Sequence, residues 1–277
     1  MTDQEDIGPL LTSEVDAALR AALDAGASRV ACSLDLERSK TTVDLEAHEW
    51  HWQGRRFPYL GPCKDRTIYH WSDEGFQPVA RFTTGLYKLV PTDWGPPTFE
   101  IDGIKMLPTA KGSPWADAER KVGLVAPRGK VVLDTCGGLG YFAAWCLALD
   151  AKQVLSWEKS SDVIWLRSLN PWSPGADDRL RFTHGDIARE IGTLADASVE
   201  AILHDPPRFG TAGELYSQAF YDQLARVLKR RGKLFHYTGS PNTLTSGRDV
   251  PNEVMKRLRK AGFSAVPNGD GVLATRT

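Results

Sequence analysis

The sequence is poor in the features that mark secreted, membrane-spanning and metal-stapled proteins. Only four of its 277 residues are cysteine, with no CxxC pair and no histidine at metal-ligand spacing, which predicts reduced thiols in a reducing compartment. No apolar run approaches the roughly 20 residues that span a bilayer. The acidic start MTDQEDIGPLL does not have the charged and apolar regions of a secretory signal. We therefore expect a cytoplasmic protein without a membrane partner.

An excess of charge of one sign is missing as well. Lys and Arg total 34 against 35 Asp and Glu, for a net charge of −1, so the chain has no global attraction for nucleic acid. This balance excludes stable coating of DNA, but it leaves an RNA substrate open because a local basic patch does not alter net charge. With 42% hydrophobic and 25% charged residues, the composition is that of a globular protein with one large domain or a domain plus a smaller module.

Residues 1–105 are predicted to form an N-terminal helix followed by a β-rich module. Apolar residues recur at helical spacing over residues 8–26, and from residue 27 to about 97 they alternate with a period of two. The tryptophans of this module suit a core or a subunit interface, or alternatively an aromatic stacking platform. The module is a candidate for homo-oligomer contacts. These tryptophans are Trp50, Trp52, Trp71 and Trp94.

Residues 106–277 are predicted to form an α/β domain with a mostly parallel sheet. A helix is expected to begin after Ser113, with Pro114 at its first position. Apolar strands then alternate with helices, which indicates βαβ units with right-handed crossovers. An antiparallel hairpin around residues 268–271 closes the sheet. Strands are expected at residues 130–134, 153–158, 180–183, 199–204 and 233–238.

A glycine-rich turn, DTCGGLGY from Asp134 to Tyr141, follows the first of these strands. Its glycines let a ligand approach the backbone at the start of the next helix. Residues 138–143 also match the dinucleotide pattern GxGxxA, so the turn alone leaves NAD and other nucleotides open. A carboxylate at Asp134 would repel a pyrophosphate and attract a cationic α-amino group. We therefore expect S-adenosyl-L-methionine (SAM), a nucleoside that carries an ammonium group.

Two more acids follow the second and third strands. Glu158 is placed to bind ribose hydroxyls, and Asp186 to accept a hydrogen bond from the adenine amino group. Solvated acids at single strand ends are common, but three in succession at the ligand-binding edge of a parallel sheet favour a nucleoside site. The predicted cofactor residues, with their immediate neighbours, are Asp134, Cys136, Gly138, Gly140, Glu158, Lys159, Asp186 and Ile187.

The loop after the fourth strand, HDPPRFG, is the candidate catalytic segment. Two successive prolines form a rigid turn without N–H donors, which leaves Asp205 and nearby carbonyls to orient an acceptor. His204 and His236 suit a general base or, alternatively, hydrogen-bonded positions within the sheet. Tyr237 and Tyr216 suit either a wall for a sulfonium or core packing. The predicted catalytic residues are His204, Asp205, Pro206, Pro207, Arg208, His236 and Tyr237.

We predict no metal site. His48 and His51 flank Glu49, but positions three apart in a strand face opposite sides of the sheet.

The succession DTCGGLG, an acid after the second strand, Gly185–Asp186 and DPP resembles the class I SAM-dependent methyltransferases over residues 113–277. The blocks DTCGGLGY, LNPWS, HDPPRFG, GELYS and FHYTGSP are similar to a little-characterised group of archaeal-type predicted methyltransferases with an HDPPRF loop. The resemblance implies a Rossmann-like sheet and SAM as the cofactor.

The DPP loop also resembles the signature of amino-methyltransferases, which implies that Asp205 and a backbone carbonyl orient an amino group. Arg208 stands where that signature has an aromatic residue, and its charge favours an acceptor with an acidic part. C5-pyrimidine methyltransferases have a related loop and need a cysteine after the fifth strand. FHYTGSP has none, so C5 chemistry is excluded.

We therefore expect methyl transfer to an amine nitrogen of a small molecule or an RNA base. Aminopropyl or aminocarboxypropyl transfer, or intramolecular SAM cyclisation, uses the same nucleoside site and releases methylthioadenosine, so these reactions stay open. A non-catalytic SAM-binding subunit is a third hypothesis, against which the complete HDPP loop argues.

Overall fold

The computed structural model describes residues 8–110, 112–208, 212–239 and 249–277, which form two compact units. The first unit comprises the chain through Ala116 together with Trp165–Ser173, and the second comprises Asp117–Ile164 and Pro174–Thr277. The division at residues 105 and 106 stays a prediction. No helix in the described ranges combines the length and hydropathy needed to cross a membrane.

The first unit consists of antiparallel sheets and one amphipathic helix. Its sheets have the strand orders β2-β3-β4-β5, β1-β6-β7 and β11-β10-β9-β8. The elements are β1 (Leu10–Leu11), α1 (Ser13–Asp24), β2 (Arg29–Cys32), β3 (Thr41–Leu45), β4 (Glu49–Trp52), β5 (Arg55–Pro58), β6 (Tyr69–Ser72), β7 (Gly75–Pro78), β8 (Ala80–Phe82), β9 (Leu86–Val90), β10 (Thr98–Ile101) and β11 (Ile104–Lys105).

The predicted helix over residues 8–26 is shorter than expected at its beginning. Leu10 and Leu11 pair with β6 as a short strand, opposite His70 and Tyr69. Thr12 then caps α1 by accepting a hydrogen bond from the Val15 amide at 3.4 Å. The two leucines therefore serve a sheet, although their spacing also fits a helix.

Aromatic packing forms much of the core of this unit. The rings of Trp50 and Phe57 stack with centroids 4.7 Å apart, and Trp71 meets Phe57 edge to face at 5.1 Å. Phe76 packs against the same group. Trp50 is fully buried. This position favours the packing role for Trp50 over an exposed stacking platform.

A buried carboxylate anchors α1 to the loop after β5. Asp16 is 4% exposed, accepts a hydrogen bond from the Leu60 amide at 2.8 Å, and pairs with Arg20 at 2.7 Å. Arg20 also donates to the Leu60 carbonyl. These contacts satisfy backbone groups that the helix would otherwise bury without partners.

We predict that Asp16→Ala lowers the free energy of unfolding by about 1–3 kcal/mol, because the Leu60 amide would lose its buried acceptor. Urea denaturation followed by circular dichroism measures the change. Asp24→Ala removes an exposed carboxylate from the same helix and should leave stability unchanged. Equal effects of the two substitutions would contradict the anchoring role.

The second unit contains the predicted α/β sheet. Its seven strands have the order β14-β13-β12-β15-β16-β18-β17. The elements are α2 (Pro114–Val125, whose first residues belong to the first unit), β12 (Val131–Asp134), α3 (Tyr141–Ala148), β13 (Gln153–Glu158), α4 (Ser161–Ser168, shared with the first unit), β14 (Leu180–His184), α5 (Ile187–Glu190), β15 (Val199–His204), α6 (Gln218–Val227), β16 (Leu228–Tyr237), α7 (Val250–Lys260), β17 (Phe263–Asn268) and β18 (Gly271–Arg276), with 3₁₀ turns at Ile191–Thr193 and Gly213–Tyr216.

The strand directions confirm the predicted fold class. Strands β12 to β16 pair in parallel, whereas β18 runs antiparallel to both β16 and β17. The carboxyl ends of five parallel strands therefore meet at one edge of the sheet. Pairing aligns Asp134 with Ser156, Glu158 with His184, and His204 with His236. This is the edge at which open α/β sheets bind ligands.

Candidate cofactor and acceptor site

The glycine-rich turn places backbone N–H groups at the start of α3. Gly138 and Gly140 have φ values of 49° and 85°, in the left-handed region that glycine adopts without a Cβ penalty. The Gly137 amide donates to the Trp157 carbonyl at 2.6 Å, and the Gly140 amide to the Gly137 carbonyl at 2.7 Å. These bonds hold the turn against the end of β13.

Glu158 joins this turn at the end of β13. Its Oε2 accepts from the Gly138 amide at 2.9 Å, and its Oε1 accepts from the Ser160 amide at 2.8 Å. A carboxylate offers about four lone-pair sites, so both oxygens can still accept ribose hydroxyls. Cys136 lies beside this carboxylate, and burial together with Glu158 raises the pKa of its thiol well above the ordinary value.

Asp134 lies beneath the turn rather than on its surface. Its carboxylate is fully buried and accepts a hydrogen bond from the Ser156 hydroxyl at 2.8 Å. In this conformation a ligand cannot reach it. The predicted contact with an α-amino group stays a prediction, and the observed bond links β12 to β13.

Asp186 is half-buried at the N-terminus of α5. One oxygen accepts from the Ala188 amide at 3.0 Å, and the other pairs with Lys159 at 2.9 Å, so an adenine amino group would share Asp186 with Lys159. Ile187, the next residue, packs in the core of the unit.

Glu190, which the sequence patterns did not single out, supports the Gly185–Asp186 turn. It accepts hydrogen bonds from the Trp157 indole at 3.0 Å and from the Asp186 amide at 3.1 Å. A Cβ at Gly185 would lie 2.3 Å from Glu190 Oε1, so a side chain there would displace the Glu190 carboxylate from its present position.

The donor and acceptor groups at this edge fit the nucleoside of SAM. Glu158 and Asp186 offer carboxylate oxygens of the kind that accept hydrogen bonds from hydroxyl and amino groups, and the N-terminus of α3 offers backbone donors. This agreement rests on the chemistry of the side chains that the strand ends bring together.

A hydrogen bond from Tyr216 supports the loop after β15. The Tyr216 hydroxyl donates to the Pro207 carbonyl at 3.1 Å, and Tyr216 itself is 1% exposed. Pro206 is buried, whereas Pro207 and Arg208 are exposed. Tyr216 therefore braces the proline turn and does not form an open aromatic wall. Residues 209 and 210 of the predicted motif lie outside the described residues.

A buried lysine, unexpected from the sequence patterns, lies next to Asp205. The Lys121 side chain on α2 is only 1% exposed, and its Nζ is 2.7 Å from Asp117 Oδ2 and 3.6 Å from Asp205 Oδ2. It is also 3.6 Å from Asp270 Oδ2 in the turn between β17 and β18. We call these four residues the carboxylate ring.

Two further side chains complete the surroundings of the ring. Arg120 Nη2 bridges Asp117 at 2.8 Å and Asp270 at 2.7 Å. The Tyr237 ring lies under the ammonium of Lys121, 4.1 Å from centroid to Nζ. Tyr237, predicted to face a sulfonium, thus faces an internal cation.

Burial and charge set the protonation of the ring. Burial raises the pKa of Asp205 to about 6, with Asp117 and Asp270 acting in the same direction and Lys121 opposing them. For Lys121, burial disfavours the ammonium, but Asp205, Asp117 and Asp270 outweigh it and raise its pKa. At neutral pH the ring therefore holds a protonated lysine and a carboxylate close to its titration range.

The two predicted histidine bases are fully buried, and both ring nitrogens of each are engaged. His204 contacts the Thr135 hydroxyl at 2.7 Å and the Leu215 carbonyl at 3.1 Å. His236 contacts the Tyr221 hydroxyl at 2.9 Å and the Tyr237 carbonyl at 2.8 Å. This arrangement favours the alternative of hydrogen-bonded sheet residues, and a role as general bases stays a prediction.

Burial makes both imidazoles neutral. It lowers the pKa of His236 to about 4, and burial together with His236 lowers the pKa of His204 well below its usual range. An unfolded chain with ordinary histidines, near pKa 6.5, binds these protons more readily, so the stability that each neutral histidine contributes falls as the pH drops below about 6.5.

We predict that the stability advantage of the wild type over His236→Gln shrinks by about 2 kcal/mol between pH 7 and pH 5, because only the wild type must keep the buried imidazole of His236 neutral. Urea denaturation at each pH measures the difference. Subtraction cancels the contribution of Asp205, whose raised pKa acts in the opposite direction. His184→Gln, at an exposed position, is the control. A pH-independent difference would exclude neutral burial of His236.

In the first unit, Glu46, Glu49 and His51 bring potential ligand atoms within 4.8 Å of one another. Arg56 contacts Glu49 at 3.4 Å, so this carboxylate has a cationic partner in the structure. The absence of a metal site stays a prediction.

The pattern of α2 contains a signal for Lys121 that sequence reasoning missed. Ala118, Val122 and Val125 form the buried stripe of this helix, and position 121 falls on the same stripe. A lysine at a core position needs buried partners of opposite charge.

Comparison with known proteins places the chain in a family. No family model matches it. It is 40% identical over 214 residues to the uncharacterized protein MJ1233 of Methanocaldococcus jannaschii, a match that covers 76% of this chain and 73% of that protein. The chain belongs to the family of that protein.

Solved structures agree on the fold. A spermidine synthase in complex with the transition-state analogue AdoDATO has a TM-score of 0.55 at 17% identity, covering 86% of this chain and 75% of that one. Spermidine synthase from Thermotoga maritima has a TM-score of 0.53 at 16% identity, with 90% and 78% covered. MnmC2 from Aquifex aeolicus has a TM-score of 0.50 at 18% identity, with 68% and 70% covered. At these identities the likeness shows the fold alone, and this chain shares the Rossmann-like α/β fold of these structures.

Proposed function

We propose that this protein is a SAM-dependent methyltransferase that acts on an amine nitrogen of a small molecule or an RNA base. The observation that carries the proposal is the position of Asp205. It follows β15 at the same sheet edge as Glu158 and Asp186, and its carboxylate is about one-fifth exposed above a buried ammonium. The similarity of the HDPPRF loop to archaeal-type predicted methyltransferases supports the same reading.

The cofactor half of the proposed site comprises the turn at Gly138 and Gly140, Glu158 and Asp186. Glu158 would hold the ribose, Asp186 the base, and the backbone N–H groups of the turn the carboxylate of the methionine moiety. Bound SAM would supply an electrophilic methyl carbon on its sulfonium. The residues of the chain would fix its orientation, which is a large part of catalysis in an in-line transfer.

Asp205 would orient the acceptor and take its proton. Burial raises the pKa of Asp205 to about 6, so above that pH the carboxylate is ionised and can accept an N–H hydrogen bond. When the nitrogen forms its new bond to carbon, its surplus proton would pass to Asp205. The braced turn of Pro206 and Pro207 would hold the carboxylate in place during this transfer.

The charges at the ring favour a cationic acceptor. Asp117, Asp205 and Asp270 are each 21–24% exposed, the Lys121 ammonium among them is 1% exposed, and Arg120, which pairs with Asp117 and Asp270, is 43% exposed. Three carboxylates against two cations leave a net negative charge when all are ionised, which would attract a protonated amine; that amine would lose one proton to solvent before its nitrogen attacks. The exposed Arg208 is available for an acidic group elsewhere on the same molecule.

The same carboxylate oxygens support a second candidate, transfer of an aminopropyl or aminocarboxypropyl group to an amine. An amine acceptor would need the same orientation by Asp205, and the two reactions differ in which carbon of SAM is attacked. Methyl transfer leaves S-adenosylhomocysteine, whereas transfer of the longer group or cyclisation leaves methylthioadenosine.

Mass spectrometry of the nucleoside products decides between these reactions. The protein is incubated with SAM alone, then with SAM and primary or secondary amines, and then with unmodified tRNA. S-adenosylhomocysteine that accumulates only with an acceptor supports the proposed function. Methylthioadenosine would replace it with the second candidate, and its formation from SAM alone would indicate cyclisation.

We predict that Glu158→Gln weakens SAM binding roughly 10–100-fold, because hydrogen bonds of ribose to a charged carboxylate are lost. Calorimetric titration with SAM measures the affinity. Glu158→Gln also alters the bond to the Gly138 amide, so the thermal midpoint is recorded alongside. Unchanged affinity would remove Glu158 from the nucleoside site.

We predict that Asp205→Asn retains SAM binding but loses turnover, because an amide cannot take the proton of the acceptor. Product formation is measured with the acceptor identified by mass spectrometry. Asp178→Asn, an exposed position in the same unit, should leave turnover intact. Full turnover by Asp205→Asn would show that another group orients the acceptor.

A further inference from the structure

Packing of α2 against the core does not require a lysine at position 121. The other residues of its stripe, Ala118, Val122 and Val125, are small or apolar and fully suited to the core. Placing an ammonium among them costs free energy unless opposite charges compensate. The compensation comes from three segments that are distant in sequence: α2 itself, the loop after β15 and the turn between β17 and β18.

The contacts of the ammonium differ in a way that points to Asp205. Asp117 and Asp270 each have a second cationic partner in Arg120, at 2.8 Å and 2.7 Å. Among the described residues, Lys121 is the cation that lies within 4.0 Å of Asp205. Lys121 is therefore the positive charge on which Asp205 depends most.

Apart from Arg120, which pairs with Asp117 and Asp270, the other charged or titratable groups around Asp205 in the described residues either oppose its ionisation or are neutral at pH 7. Asp117 and Asp270 repel its negative charge. The two tyrosines and the thiol nearby have raised pKa values, and the adjacent histidine is buried and neutral. Lys121 and Asp117 face Asp205 from α2, and Arg120 acts on it indirectly by pairing with Asp117. The remaining groups around Asp205 are Asp270 in the hairpin turn, Tyr216, Tyr237, Cys136 and His204.

We propose that Lys121 is a positioning residue that keeps the Asp205 carboxylate ionised and directed toward the acceptor. The Lys121 side chain is 1% exposed, whereas the three carboxylates of the ring are 21–24% exposed, so it would not contact the acceptor itself. The Nζ atom of Lys121 lies 4.1 Å from the centroid of the Tyr237 ring and 2.7 Å from Asp117 Oδ2, and these two contacts hold the ammonium in position. The inference rests on the proposed role of Asp205 but concerns a different residue and a different measurement.

Carbon-13 NMR of aspartate carboxyl groups tests the inference without an acceptor. The protein is labelled at aspartate Cγ, and the signal of Asp205 is identified by its loss in Asp205→Asn. In the wild type this carboxyl should titrate near pH 6. In Lys121→Met its pKa should rise to about 7 or above, because the opposing cation is lost. Lys121→Arg, which retains the charge, should restore most of the wild-type value.

Two controls separate this effect from a general loss of structure. Lys256→Met removes an exposed lysine from α7 and should leave the Asp205 signal unchanged. Asp270→Asn removes a neighbouring negative charge and should lower the pKa of Asp205, opposite in sign to Lys121→Met. Should Lys121→Met fail to fold, Lys121→Gln removes the charge while retaining hydrogen-bonding capacity.

An Asp205 signal that titrates identically in the wild type, Lys121→Met and Lys121→Gln would overturn the inference. Once the acceptor is known, the acidic limb of the kcat profile should move to higher pH in Lys121→Met, with turnover recovering at pH 8.5. The two proposals fail separately. Turnover by Asp205→Asn would refute the catalytic role of Asp205, whereas an unresponsive Asp205 pKa would refute only the role of Lys121.

Discussion

The candidate site depends on how one buried ammonium is compensated. An isolated charge moved into a protein interior costs several kcal/mol or more even after relaxation, so Lys121 requires carboxylates at contact distance. Those carboxylates come from α2, from the loop after β15 and from the hairpin between β17 and β18. The contacts that compensate this one charge therefore join α2 to the central strand of the sheet, β15, and to the antiparallel strands at the edge of the sheet, β17 and β18.

Beneath the ring the polar groups are neutral and mutually satisfied. The ring centroids of His204 and His236 lie 4.4 Å apart in an edge-to-face arrangement. Their nitrogens contact hydroxyl and carbonyl oxygens. A buried layer of neutral, hydrogen-bonded groups beside a charged cluster lowers the local dielectric, which strengthens the electrostatic interactions of that cluster.

The nucleoside half of the site is built differently, mainly from backbone geometry. Glu158 bonds to the amide of Gly138, and Glu190 supports the turn that carries Asp186. Both are carboxylates whose oxygens stabilise a glycine-containing turn, and Glu158 retains capacity to bind a ligand. The two halves meet at the carboxyl ends of adjacent parallel strands, where register alone brings distant side chains together.

Local pattern was sufficient to predict the α/β fold and the strand ends that carry the candidate residues. Each of these predictions depended on residues that are close together in the sequence. They were the alternation of apolar strands with helices, the glycine turn after Asp134, and the acids at positions 158 and 186. Tertiary structure decided what those side chains do. It buried Asp134 against Ser156, engaged both nitrogens of His204 and His236, and brought Asp117 and Asp270, 153 positions apart in the chain, to the ammonium of Lys121. Spacing records which face of an element a residue occupies, whereas burial and charge pairing depend on the elements packed against that face.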